Sequence, residues 1–190
     1  MLQDAQRHHL SGATEAAATA YDQAVRAFNL VNGDAVGLFD AACQAAPDFA
    51  MAYLGKAWVF ALANDPGLMT KAEALVETAR PLRLNEREQA HLAALSHLVQ
   101  GARAAAVAVL DRHLMRYPFD LVAHQGAAIS DGFLGRFHWV RDRSARALPL
   151  GSRTSRATGP CWPCTGLGSR KPAITQGPKT NHAKPPNASR

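Results

Sequence analysis

Residues 85–118, NEREQAHLAALSHLVQGARAAAVAVLDRHLMRYP, decide the fold. They read as two amphipathic helices joined at Gly101 and closed by Pro118, with Ala106, Leu110 and His113 along the second. Steps of four and three keep residues on one face of a helix. The same comb lies over Ala35, Phe39 and Ala42, over Ala72, Val76 and Ala79, and over Val140, Ser144 and Ala147. The combs begin 37, 34 and 34 residues apart. A helix–turn–helix unit recurring at about 34 residues is the mark of a helical solenoid, in which each pair buries its apolar face on the next.

Outward from this stretch, the polar residues 1–12 are expected to be a flexible N-terminus, followed by an all-α, tetratricopeptide-like solenoid over residues 13–149. A first helix is expected from about Thr14 to Leu30, with Ala17, Ala20, Ala24 and Phe28 inward, stopped by Asn32-Gly33. Asp34, Asp48, Asp65 and Asp120 stand where helices should start, and Pro66 suits a first helical position. Asn85 with Glu88 has capping-box spacing. In Leu54-Gly55 ahead of Trp58, a large residue and a small one alternate as they do where a partner helix comes close. Eight helices in about four pairs result.

The formal charge of +6 and pI near 9.7 suggest a nucleic-acid binder until the chain is divided. Residues 151–190 hold seven Lys or Arg and no acid, which leaves 14 basic against 15 acidic residues in the first 150. The basic character belongs to the tail alone. Cys43 is expected to be a buried, inert thiol, and without a disulfide framework the chain suits a reducing compartment. Residues 1–10 lack a signal-peptide core, and no run approaches the roughly 18 apolar residues of a membrane span. A soluble cytoplasmic protein without membrane contact is the expectation.

The run Arg87-Glu88-Gln89 with His91, the Gly101 turn, Tyr117-Pro118 and Asp120, then Phe133-Leu134-Gly135, Arg141-Asp142 and Ala145-Arg146 resembles the tetratricopeptide repeat protein 38 family. The resemblance spans residues 17–149 and stops after Pro149-Leu150. It implies an α-helical repeat protein acting through protein contacts, with no catalytic residues to carry over. Members of that family are considerably longer, so a truncated chain is also implied.

No Ser–His–Asp set, HExxH or phosphate-cradling glycine loop is present, and no catalytic, metal or cofactor-binding residue is assigned. His91 and His97 are six apart and His8-His9 adjacent, so neither pair aligns on a helix face; His113 is expected to be packed or hydrogen-bonded at a helix interface. Glu86, Arg87 and Glu88 read as a solvated first turn. Cys161-Trp162-Pro163-Cys164 could carry redox chemistry or half a zinc site, but no βαβ context surrounds it and His182 stands alone.

Residues 150–190 are expected to be a disordered, basic Pro/Gly-rich tail, with six of the chain's 11 prolines. Pattern, acidity and resemblance all end at one point, as a shifted reading frame would cause. Read one frame over, the codons of Pro160–Thr165 give Leu/Met/Val, Leu, Ala, Leu/Met/Val and His/Tyr, an apolar helix former where a fifth repeat belongs. The leading expectation is therefore a non-catalytic scaffold for an unidentified protein or peptide, able to self-associate through an uncapped last repeat. The alternatives are redox or zinc activity at Cys161 and Cys164, and weak nucleic-acid binding by the tail.

Overall fold

The computed structural model describes residues 2–151, with side chains described through Ala147. Eight helices follow one another: α1 (Glu15–Leu30), α2 (Ala35–Ala45), α3 (Ala50–Leu62), α4 (Pro66–Ala79), α5 (Glu86–Val99), α6 (Arg103–Arg116), α7 (Leu121–Phe133) and α8 (Phe137–Gly151). Their starts are chemical. The side chains of Thr14, Asp34, Asp65 and Asp120 each accept a hydrogen bond from the backbone N–H three residues on, and Asn85 and Glu88 close a capping box. Each cap contributes about 1 kcal/mol by satisfying donors that the helix leaves orphaned. Helix α3 departs from expectation: Phe49, not Asp48, occupies its cap position and makes no side-chain bond. Gly101 and Gly135, at φ of 78° and 70°, make the turns within the last two hairpins.

Successive helices pack as hairpins, and the odd-numbered helices also meet one another, α3 with α5 and α7, and α1 with α7. The odd helices thus form an inner layer with the even ones outside. Small residues permit this convergence. A Cβ on Gly55 would overlap the Phe39 ring, and one on Gly126 would stand 3.0 Å from the Trp58 ring. Phe39, Val76 and Leu110 have no exposed surface, and Ala42, Ala72, Ala79, Ala106 and His113 are buried with them. On α1, Ala17, Ala24 and Phe28 are buried, and Tyr21 and Val25 widen the stripe. In the last comb Ala147 is buried while Val140 and Ser144 are half-buried.

Two expectations are corrected. The segment 2–12 is packed rather than frayed: Asp4, Leu10 and Ser11 are buried, and a bridge between Gln3 and His9 folds the segment back on itself. Its polar residues find partners on α5, which the sequence alone did not disclose. In the first turn of α5, Glu86 is exposed as expected, but Arg87 and Glu88 are buried. At the other end α7 is largely buried, whereas Phe133, Phe137 and Trp139 are exposed. None of the described helices is long and apolar enough to cross a membrane. Helix α8 runs two residues past the expected boundary at 149, and the rest of the tail, with Cys161, Cys164 and His182, lies outside the described residues.

Candidate functional site

Where the inner helices meet α6 and the N-terminal segment, eight polar or aromatic side chains gather, seven of them buried. Asp120, the cap of α7, is at the centre. Its Oδ2 accepts from Arg87 Nε at 2.6 Å and lies 2.9 Å from His91 Nε2 and 3.0 Å from His113 Nε2. Its Oδ1 accepts from the Ala123 N–H at 3.1 Å and from Arg87 Nη2 at 3.4 Å. Arg87 Nη2 also reaches the Tyr21 hydroxyl at 3.4 Å. On the far side Arg87 Nη1 stands 3.0 Å from Asp4 Oδ2, a charge contact without hydrogen-bond alignment. The indole N–H of Trp58 donates to His91 Nδ1 at 2.9 Å, and the His113 ring stacks on Tyr117 at 4.8 Å between centroids.

The charges follow from these partners. Burial by itself would raise the Asp120 carboxyl, but Arg87 and the two histidines outweigh it and hold the group well below the usual carboxylate range. Burial likewise opposes the Arg87 charge, yet Asp120, Tyr21 and Asp4 hold it well above its ordinary value. Burial dominates at His91 and depresses its pKa against the pull of Asp120. It dominates at Tyr21 too, pushing the phenol well up. An ionised carboxylate only accepts hydrogen bonds, so both imidazoles present Nε2–H to Asp120. His91 must then be bare at Nδ1, where the Trp58 N–H is aimed, and is fixed as the neutral Nε2–H tautomer.

That assignment decides what the cluster can hold. His91, His113 and Asp120 offer ligand atoms within 4.8 Å of one another, a spacing that a metal ion could use. A metal on His91 Nε2 would need its hydrogen on Nδ1, facing the Trp58 N–H donor to donor. The carboxylate oxygen the ion would claim already lies within 3.0 Å of three donors, one of them a guanidinium. The donor set fits a closed hydrogen-bond network and does not fit a metal site.

His113 is the packed, hydrogen-bonded helix-interface histidine expected of it. The convergence of Arg87, His91, His113 and Asp120 was not expected, because each was weighed within its own helix. The available signal was His113 at a comb position that holds Ala in the other combs, with Arg87 and His91 one turn apart on a single face of α5. Cys43, expected to be buried, is half-buried, and burial pushes its thiol up to about 11, away from the thiolate a nucleophile needs.

A second buried set ties α8 to its neighbours: Arg143 donates to Asp111 of α6 at 2.9 Å and to Asp131 of α7 at 2.7 Å. A cavity of about 180 Å³ beside it is lined by Leu114, His124, Arg143 and Arg146, and another of about 230 Å³ by Glu86, Arg112, His113 and Tyr117. Both are smaller than the roughly 300 Å³ at which ligand pockets begin.

Comparison of the chain with family models, curated proteins and solved structures finds no match.

Proposed function

We propose that this chain is a non-catalytic protein-interaction module, a tetratricopeptide-like helical-repeat scaffold related to the tetratricopeptide repeat protein 38 family. The observation that carries the reading is the apolar surface of the last hairpin, where Phe133, Phe137 and Trp139 are 52%, 71% and 44% exposed. Large aromatic side chains gathered at one end of a helical stack, rather than scattered singly, mark contact surfaces. The Arg103 guanidinium lies 4.7 Å from the centre of the Phe133 ring, adding the cationic neighbour that aromatic contact sites favour. The buried cluster supports the non-catalytic half of the reading, since all its donors and acceptors but Arg87 Nη1 are spent on one another. The combs at steps of 37, 34 and 34 residues, and the meeting of Arg87, His91 and Asp120 from the resembling motif, support the repeat assignment. A cytoplasmic location is part of the proposal.

The test is site-specific photo-crosslinking in the cells that make the protein. A photoreactive phenylalanine at position 137 or 139 should give a discrete adduct, and one replacing Glu73 on the exposed face of α4 should not. The adduct should survive deletion of residues 152–190. Equal labelling at 73 and 137 would remove the assignment of the contact surface, and loss of the adduct with the deletion would move function to the tail.

A further inference from the structure

We infer that the slot holding residues 2–12 is an exchangeable binding site for a short, folded-back peptide that carries one carboxylate and an apolar anchor, and that the chain's own N-terminal segment is its resident inhibitor.

The segment sits as a bound peptide would. It contributes no helix or named strand, and closes on itself through Leu10 N–H donating to the Leu2 carbonyl at 3.0 Å and Asp4 N–H donating to the His8 carbonyl at 2.9 Å. It is held from outside by a few directional contacts. The Asp4 carboxylate lies against Arg87, and the Ser11 N–H donates to Glu88 Oε1 at 2.9 Å. The Asn85 side chain donates to the His9 carbonyl at 3.1 Å, and the Ala5 N–H donates to Asp22 Oδ1 at 3.1 Å. Leu10, 2% exposed, is its apolar anchor. One buried carboxylate on a guanidinium, an apolar residue six positions later and backbone hydrogen bonds between them form a short recognition motif.

The slot carries capacity that the segment does not use. Arg87 is 2% exposed, yet its Nη1 has no aligned acceptor, although a better-placed carboxylate oxygen would supply one. The slot belongs to the body of the fold, because Arg87 and Glu88 are held by Asp120 and by the capping box without help from the segment. A closely fitted glycine joins the two parts. Gly12 has φ of 74°, and a Cβ there would run into the backbone carbonyl of Asp48. A side chain at residue 12 therefore forces this junction apart without touching Arg87 or Glu88. The partner that fits is a peptide with an Asp in the place of Asp4 and a Leu-like residue in the place of Leu10. This surface is separate from the α7–α8 end, so its failure leaves the crosslinking result untouched.

The test uses the full chain and a fluorescein-labelled peptide of sequence LQDAQRHHLSG, residues 2–12, read by anisotropy. The wild-type chain, its slot filled, should show no binding up to about 100 μM, a concentration far above that of a typical specific complex. Full-chain Gly12→Ala and, independently, Leu10→Asp should bind the peptide saturably while keeping their helical circular dichroism. The same peptide carrying Asp4→Asn should bind at least about tenfold more weakly, as the loss of a charge-assisted contact requires. Folded variants that bind no peptide, or that bind both peptides equally, overturn the inference. Loss of the helical fold in both variants would show that the segment is an integral part of the core, and overturns it too.

Discussion

Asp120→Asn is the substitution that most directly tests how the inner layer is held. It keeps shape and volume and removes one charge. An amide in place of Oδ2 would point its N–H₂ at the N–H groups of Arg87, His91 and His113; turned over, it would face the Ala123 N–H and Arg87 Nη2. Neither orientation satisfies the site. Removing one partner of a buried ion pair costs about 3–5 kcal/mol, mostly because the other charge stays behind unpaired. Here Arg87 would retain only Asp4 as a charged partner, and either the two imidazole N–H groups or the Ala123 N–H would lose their acceptor, so the upper half of that range is expected. Native domains are stable by about 5–15 kcal/mol, so the variant should sit close to unfolding at ambient temperature. Urea unfolding followed at 222 nm, extrapolated linearly at pH 7.5, measures the loss. Glu77→Gln, which breaks the exposed pair with Arg80, should leave the midpoint where it is. The Arg87→Met, Asp120→Asn double variant should lose less than the sum of the single losses, because the charges no longer strand each other. A loss below about 1 kcal/mol for Asp120→Asn, the scale of one neutral hydrogen bond, would refute the view that Asp120 anchors the cluster.

Leu110→Ala should cost about 2–5 kcal/mol in the same assay, since the side chain is wholly buried; a change within about 0.5 kcal/mol would refute the core register. Burial depresses His91 and His124 in the folded chain, so the unfolded chain takes up protons that the folded one refuses once the pH drops below about 6.5. Stability should hold above that pH and fall below it, then fall again below about 4 as the low pKa of Asp120 comes into play; equal urea midpoints at pH 7.5 and 5.5 would contradict the His91 assignment. Native-state hydrogen exchange should find the amides of α8 less protected than those of α7, because α7 is covered by α1, α3 and α6 while much of α8 faces water; equal protection in a demonstrated monomer would mean that α8 is capped. Zinc titration should yield no complex that depends on His113, and a stoichiometric one lost in His113→Ala would overturn the donor assignment.

The helices were legible because their signals are local. A cap, a four-and-three comb and a stop lie within one helix length, and Asp34, Asp65, Asn85 and Asp120 each act where the sequence places them. The cluster was not legible because its members are far apart in the chain. Asp4 and Arg87, or Arg87 and Asp120, become neighbours only through the packing of distant segments, which no single comb encodes. Arg87 and Glu88 show the ambiguity at its sharpest. Charged residues in a first helical turn are ordinarily solvated and interact with the helix dipole. Here Glu88 does serve the capping box, and the same carboxylate accepts from Ser11, 77 residues away. A local reading finds the first role and has no access to the second. The exposed Phe133, Phe137 and Trp139 were partly legible: the last pair was expected to be underpacked, but α7 is buried by contacts with α1 and α3 that a nearest-neighbour stack would lack.

Those same contacts bear on where a partner could bind. A stack of alanine-rich helices has small side chains at its interfaces, and small side chains discriminate weakly between neighbouring registers. Directional groups discriminate strongly, because a buried guanidinium displaced by one residue leaves its carboxylates stranded. Arg87 binds α5 to the N-terminal segment through Asp4, to α1 through Tyr21 and to α7 through Asp120, so a single position fixes four parts of the chain. Trp58 completes the lock by joining α3 to α5 through His91 and seating on Gly126 of α7. The inner face that an open helical stack would offer to a ligand is therefore filled by the chain's own side chains. Under the proposed reading, contact with a partner falls, among the described residues, to the aromatic end of the last hairpin and the slot beside Arg87.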